Sequence, residues 1–308
     1  MEQLQGSPIV SATVSMQKKL EAEFNTMKNE VLPRLAKSGY PKPVDEVFTF
    51  EEFKWAFCML FSRAICLNNL MTGPAVALIP YADLFNHNPY SNTFIETDVI
   101  GGWFEEKKDE IRVYCDRSYK RMEQVCISYG QKSNLELLLL YGFCLDRNPF
   151  NSVDLSVSLP ADEPMFEEKR DFLDGKGVKP DMNFPVYADR YPDELLQFLR
   201  LVCLTAEDRI GPEGTPLDLW ELRFSQQIND SNEMAVLNLI AEACELALSR
   251  YPTTEEQDVD LIKDYKMFAL LPRNTRLAVK ARRQEKRILK RTIAAVEREK
   301  EKIILATA

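Results

Sequence analysis

Apolar residues set a helical rhythm at the start of the chain. Val14, Leu20, Phe24, Met27, Val31 and Leu35 recur at near-helical spacing among Lys and Glu, which predicts a helix over 13–37. Gly39, Pro41 and Pro43 end it. Thr49-Phe-Glu-Glu52 is a capping-box pattern that opens a strongly apolar helix running to about Leu67. The rhythm then changes to short strands. Residues 75–80 are apolar, 93–99 and 111–115 alternate, and 125–129 lead into Gly130, with a turn expected at Gly101-Gly102. Residues 133–143 read as a short helix ending at Gly142, and 153–159 as an alternating strand. From about 164 the pattern is helical again, over 164–174, 192–209, 216–228, 231–250, 253–270 and 274–304.

These elements predict an α+β chain in two parts. Residues 1–163 form a β-rich part, opening with a helical segment of about 75 residues and carrying its strand core at about 76–145. Residues 164–308 form an all-helical part. The length of 308 residues suits one large domain or two ordinary ones.

Composition narrows the partners. A net charge of −9 argues against general nucleic-acid binding, which needs basic surface to displace counterions. No apolar run reaches the roughly 18–20 residues of a membrane span, and the first residues lack the basic and apolar regions of a leader peptide. Seven cysteines are scattered without CxxC spacing, and there is one histidine, so no metal-binding set is expected. Cysteines in apolar runs, such as Cys58 and Cys203, read as buried free thiols. Residues 273–302 carry twelve Lys or Arg against four acids. That run reads as a solvated helix face, or as a patch for an acidic partner.

Candidate chemistry gathers in two stretches. The first, Leu78-Ile-Pro-Tyr-Ala-Asp-Leu-Phe-Asn-His-Asn-Pro-Tyr90, holds His87, the sole histidine. His87 could act as a base, yet no nucleophile motif accompanies it, and a lone His beside an Asn is more often structural, its ring holding backbone carbonyls while Asn86 satisfies neighbouring groups. The second stretch, Cys126-Ile-Ser-Tyr-Gly-Gln-Lys-Ser-Asn134 followed by Glu136–Phe143, places Tyr129 before a glycine and adds Asn134, Tyr141 and Phe143. Rings at this density line a narrow slot for a long or cationic group, or simply form core. Arg63, inside an apolar helix, must reach solvent or hold a partner.

Leu78–His87 and Ser128-Tyr-Gly-Gln-Lys-Ser-Asn-Leu-Glu-Leu-Leu-Leu-Leu-Tyr-Gly-Phe143 together resemble SET-domain protein-lysine methyltransferases of the Rubisco large-subunit group. The helical remainder, including Tyr251-Pro-Thr-Thr-Glu-Glu-Gln-Asp258, is similar to that group's substrate-binding domain. The resemblance covers about residues 40–305 and implies methyl transfer from S-adenosylmethionine to a lysine of a protein substrate, Rubisco or another non-histone protein. It assigns Tyr129 as catalytic. It gives Arg63, Asn86, His87 and Phe143 to the cofactor, and Arg63, Asp83, Ile127, Tyr129 and Tyr141 to the substrate lysine, with carbonyls near Arg63, Asp83 and Ile127 facing its amine. It implies no metal, a chloroplast location with cytoplasm or nucleus as alternatives, and leaves oligomeric state open.

The family pattern also includes a Gly-x-Gly turn that clasps the cofactor. None stands before Asn86, and Gly175-Lys-Gly177 reads as a helix end and turn. The cysteine-rich zinc motif of many histone methyltransferases is absent too, as in the Rubisco-type group. The resemblance therefore predicts an incomplete SET domain that binds the cofactor poorly. The competing expectation is a non-catalytic interaction protein that docks a partner through its helical part.

Overall fold

The computed structural model describes residues 2–68, 70–101, 106–210 and 214–307. The chain divides into two compact units: residues 11–150, and a second made of 1–10 together with 151–308.

In the unit of residues 11–150, α1 (Ile9–Thr26, entered from the other unit) gives way to a π-turn at Met27–Val31 before α2 (Leu32–Lys37). The single helix expected over 13–37 is broken there. Pro33, in the first turn of α2, has no N–H for the carbonyl four residues back, which local widening accommodates. After α3 (Val44–Val47), Thr49 caps α4 (Phe50–Arg63), its hydroxyl accepting the Glu52 N–H at 3.3 Å. The expected continuation to Leu67 is instead strand β1 (Ile65–Leu67), antiparallel to β2 (Ala75–Ala77). β3 (Asn86–His87) runs parallel to β6 (Cys126–Ile127), and β4 (Phe94–Ile100) pairs antiparallel with β5 (Lys108–Tyr114). Gly102 of the expected Gly101-Gly102 turn lies outside the described residues. Ser133 opens α5 (Asn134–Tyr141) with a reciprocal capping box to Glu136. Gly142 closes it in the left-handed conformation, φ 73°.

The unit of residues 1–10 and 151–308 is helical around one hairpin. β7 (Ser152–Ser158) pairs antiparallel with β8 (Asp181–Tyr187), a strand absent from the sequence expectation. Pro185 masked it, although Met182, Phe184 and Val186 alternate inward. The helices are α6 (Phe166–Gly175), α7 (Asp193–Val202), α8 (Asp230–Ser249), α9 (Glu255–Lys263), α10 (Tyr265–Leu270) and α11 (Arg273–Thr307). Residues 216–228 hold only a short 3-10 turn, Leu219–Glu221, where a helix was expected. Val153 and Leu155 of β7, Phe184 and Val186 of β8, Leu199 of α7, Ile240 of α8 and Leu289 of α11 share the main core. Arg200 forks onto Glu233 at 2.8 and 2.9 Å inside it.

The thiols depart from the sequence reading. Cys58, Cys66 and Cys115 are exposed and Cys203 is half-buried; Cys244 alone is buried. An apolar run does not bury every member of a helix, and Trp55, Leu60 and Phe61 of α4 are likewise exposed.

Two basic residues of the α11 run, Arg282 and Lys286, are internal, and the others are exposed or half-buried. Arg282 forks onto Asp258, and Lys286 donates to Thr253 and Thr254 carbonyls at 2.8 and 2.9 Å. Arg282 also donates to the Gln3 carbonyl at 2.9 Å, and Glu285 accepts from Ser7 at 2.8 Å and from Tyr251 at 3.0 Å. Residues 2–10 are therefore part of this unit. Gly6, at φ 88°, passes so close to Arg250 that a Cβ there would lie 2.5 Å from its carbonyl oxygen. Among the described residues no helix is long and apolar enough to cross a membrane.

Candidate active site

The β3–β6 pair brings the two chemically distinctive stretches together. Pairing Asn86 with Cys126 and His87 with Ile127 sets Tyr129 beside His87. The Tyr129 N–H donates to His87 Nδ1 at 3.0 Å, and the rings stack at 5.1 Å. The phenol of Tyr129 donates to the Phe85 carbonyl at 2.7 Å. Its proton is thereby committed, and its lone pairs are left to accept.

α5 supplies the other rings. Tyr141, at its last turn, lies 4.8 Å from the Tyr129 ring. Phe143, just past the Gly142 cap, lies 6.2 Å from Tyr141 and 6.1 Å from His87. Asn134 is buried and clamps the return of the chain. Its Nδ2 donates to the Leu145 carbonyl at 2.8 Å, and its Oδ1 accepts the Leu145 N–H at 3.0 Å. Asn148 adds donations to the Asn134 and Lys132 oxygens at 3.1 and 2.9 Å. These bonds hold Phe143 between two fixed points.

Arg63, at the end of α4, meets Asp83 through Nη1 and Oδ2 at 3.2 Å. The Arg63 side chain is about half exposed, so the pair contributes little to stability. The partner reading of Arg63 therefore has a named partner. The Ile127 carbonyl accepts the Asn88 N–H at 3.0 Å. Asn86 is exposed, and its main chain lies in the parallel pairing with β6.

Burial tunes the titratable groups. It lowers the His87 pKa from 6.5, with the Lys132 charge acting the same way and a main-chain bond to Ile127 opposing it. Burial raises the Tyr129 phenol above its ordinary value, helped by Tyr141 and Cys126. Tyr141 is also raised, first by burial and then by Cys66. At neutral pH the cluster is three phenyl-type rings and one imidazole, all uncharged. His87 is thus a holder of backbone groups, as one sequence reading had it, with its Nδ1 accepting the Tyr129 N–H.

Sequence reasoning missed two residues of this arrangement. Phe85 contributes a carbonyl, which no side-chain motif announces. Asn148 lies beyond the motif, and only its place in a turn-forming Asn-Pro pair hinted at a role.

The uncharged, aromatic character fits S-adenosylmethionine. A sulfonium is favoured by ring faces and disfavoured by a protonated imidazole. His87 is held on the neutral side.

Comparison with known proteins gives a consistent relationship. The family model described as Rubisco LSMT substrate-binding matches residues 160–289. The chain is 31% identical over 296 residues to [fructose-bisphosphate aldolase]-lysine N-methyltransferase, chloroplastic, of Arabidopsis thaliana, covering 94% of this chain and 58% of that protein. It is 26% identical over 269 residues to human actin-histidine N-methyltransferase, covering 83% and 43%. A crystal structure of the SET domain of LSMT bound to lysine and AdoHcy matches with a TM-score of 0.74 at 29% identity, covering 98% of this chain and 66% of that one. The chain thus spans less than two thirds of the length of these relatives. In sequence and fold it is a relative of the Rubisco large-subunit methyltransferase group of SET-domain proteins, with that group's substrate-binding domain in its helical unit.

Proposed function

We propose that the chain serves S-adenosylmethionine-dependent methylation of a protein lysine. The observation that carries this reading is the Tyr129 phenol, donating to the Phe85 carbonyl within a cluster of uncharged rings. When bound, the cofactor supplies an electrophilic methyl group. The chain's own residues would do the rest. Asn86, through its main chain, with His87, Phe143 and Arg63 would hold the cofactor. Tyr141 and Phe143 would exclude water from the acceptor amine, which must be neutral to attack. Tyr129, its proton already committed, would orient that amine through its oxygen lone pairs. The raised phenol pKa keeps Tyr129 neutral, so it is an orienting group and not a base. Asp83 and the Ile127 carbonyl would complete the lysine's surroundings. The relative that bears a histidine-methyltransferase name makes the acceptor residue a question for assay. Lysine is favoured by the lysine-bound structural neighbour and the lysine methyltransferase relative. The chloroplastic name of the Arabidopsis relative supports a chloroplast location.

Calorimetric titration with S-adenosylhomocysteine, followed by transfer of labelled methyl to lysine peptides, tests the reading. Weak binding of the cofactor product, as expected without a Gly-x-Gly turn before Asn86, and Tyr129-dependent transfer are the expected outcomes. Tyr129→Phe should bind the cofactor product normally and lose about a hundredfold or more in rate. Unchanged transfer in that variant would reduce Tyr129 to a packing residue.

A further inference from the structure

Tyr129 meets His87 through the pairing of β3 with β6, to which each strand contributes two residues. A parallel pair of this length is marginal by itself. The chain leaving β3 folds back to hold it. The Asn88 N–H donates to the Ile127 carbonyl at 3.0 Å, and the Ser91 hydroxyl donates to the Cys126 carbonyl at 2.6 Å. Both residues of β6 are thus gripped from one turn. Ser91 is itself held. Its N–H donates to the Asn88 carbonyl at 3.1 Å, and its Oγ accepts the Thr93 N–H at 3.2 Å. Thr93 is buried, and its hydroxyl donates to Asp116 Oδ1 at 3.1 Å. Asp116 also accepts the Tyr119 hydroxyl at 2.8 Å and, through Oδ2, the Asn92 N–H at 3.0 Å. A chain of bonds therefore runs from the Asp116 carboxylate through Thr93 and Ser91 to β6.

We propose that Ser91 is a positioning residue for Tyr129, its hydroxyl fixing the Cys126 carbonyl and with it the course of β6. Asn88 grips β6 through its main chain, and its side-chain oxygen accepts the Tyr90 N–H at 3.0 Å inside the turn. Ser91 grips β6 through its side chain, so a substitution can remove that hold and leave the main chain intact. A serine hydroxyl donates and accepts at once. Ser91 does both, and its bond to Cys126 is reinforced by the one it accepts from Thr93. Tyr129 is sensitive to the result. Its N–H must meet His87 Nδ1 at 3.0 Å and its phenol must meet the Phe85 carbonyl at 2.7 Å, both on the chain of β3. A shift of β6 against β3 loosens the two bonds together, and small misplacements of a reacting group cost rate steeply. The proposal rests on the methyltransferase reading for what the Tyr129 oxygen faces, while the positioning itself is measured apart from the chemistry.

Three variants of the full chain test it. Ser91→Ala removes the hydroxyl, Ser91→Cys keeps nearly the same volume with a weak donor, and Ser91→Thr keeps the hydroxyl. Amide exchange is followed by NMR at Tyr129, with the buried Leu137 of the same unit as reference. In Ser91→Ala and Ser91→Cys the Tyr129 N–H should exchange about tenfold faster or more, while Leu137 keeps its wild-type rate. In transfer assays these two variants should lose about tenfold in kcat, with KM for a lysine peptide and affinity for S-adenosylhomocysteine unchanged. Ser91→Thr should restore both properties. Equal acceleration at Tyr129 and Leu137 would reduce Ser91 to general stability and overturn the proposal. Unchanged Tyr129 exchange, or a threonine variant no better than the alanine one, would overturn it too. Selective Tyr129 exchange in a protein whose wild type transfers no methyl would sink the methyltransferase reading and leave the positioning role standing. Wild-type kcat in Ser91→Ala would do the reverse.

Discussion

His87 shows how one residue's environment redirects its chemistry. Its Nδ1 accepts the Tyr129 N–H, so the tautomer is fixed with the proton on Nε2. Protonating Nδ1 breaks that bond and places a cation among the rings. Burial pulls the folded-state pKa below 6.5. The sign follows from linkage. As pH falls through 6.5 the unfolded chain takes up the proton first, so this contribution to stability is intact above 6.5 and is lost on the acid side. Because the chain has one histidine, its ring proton gives a single unambiguous NMR signal. That signal should titrate below pH 6.5, with Tyr129 N–H shifting in step. A midpoint at or above 6.5 would contradict the buried, neutral assignment.

At the scale of elements, α5 is the part that turns a motif into a site. Its two ends are set by Ser133 and Gly142, and Asn134 ties its first turn to Leu145. Asn134→Ala should remove the bonds its amide makes to the Leu145 N–H and carbonyl, at about 1–3 kcal/mol. Amide exchange of residues around 141–146, followed by mass spectrometry, should quicken by at least about tenfold. Unchanged exchange would show that packing alone holds Phe143. This helix was legible because capping box, apolar run and terminal glycine agree at every position. α4 was legible except for its end, since nothing local marks where the helix yields to β1. Strand β8 was hidden by Pro185, tolerated there within a two-stranded hairpin. The resemblance put Tyr129 and His87 in one site, but their direct contact was not legible, because it depends on a parallel pairing of residues some forty positions apart.

Over the whole molecule, the basic run of α11 separates into buried and solvated charges. Arg282 is 4% exposed and forks onto Asp258, whereas Arg287 faces solvent. Arg282→Met should cost about 1.5–3 kcal/mol, because it removes charged hydrogen bonds to Asp258 and leaves that buried carboxylate to Lys286 and Thr253. Arg287→Met should change stability by no more than about 0.5 kcal/mol. Urea denaturation of the two variants checks this, and equal midpoints would return the whole run to the solvated-face reading.

Residues 2–10 belong to the same unit as Arg250, Tyr251, Arg282 and Glu285. This has a temporal consequence. On the ribosome residues 2–10 emerge long before their partners on α8–α11 exist. Residues 11–150 form a unit of their own and are complete while the helical unit has barely begun. Ser7 has no Glu285 to meet until most of the chain has been made. Residues 2–10 are thus among the last parts of these units to find their place, and synthesis arrested before α11 leaves them undocked.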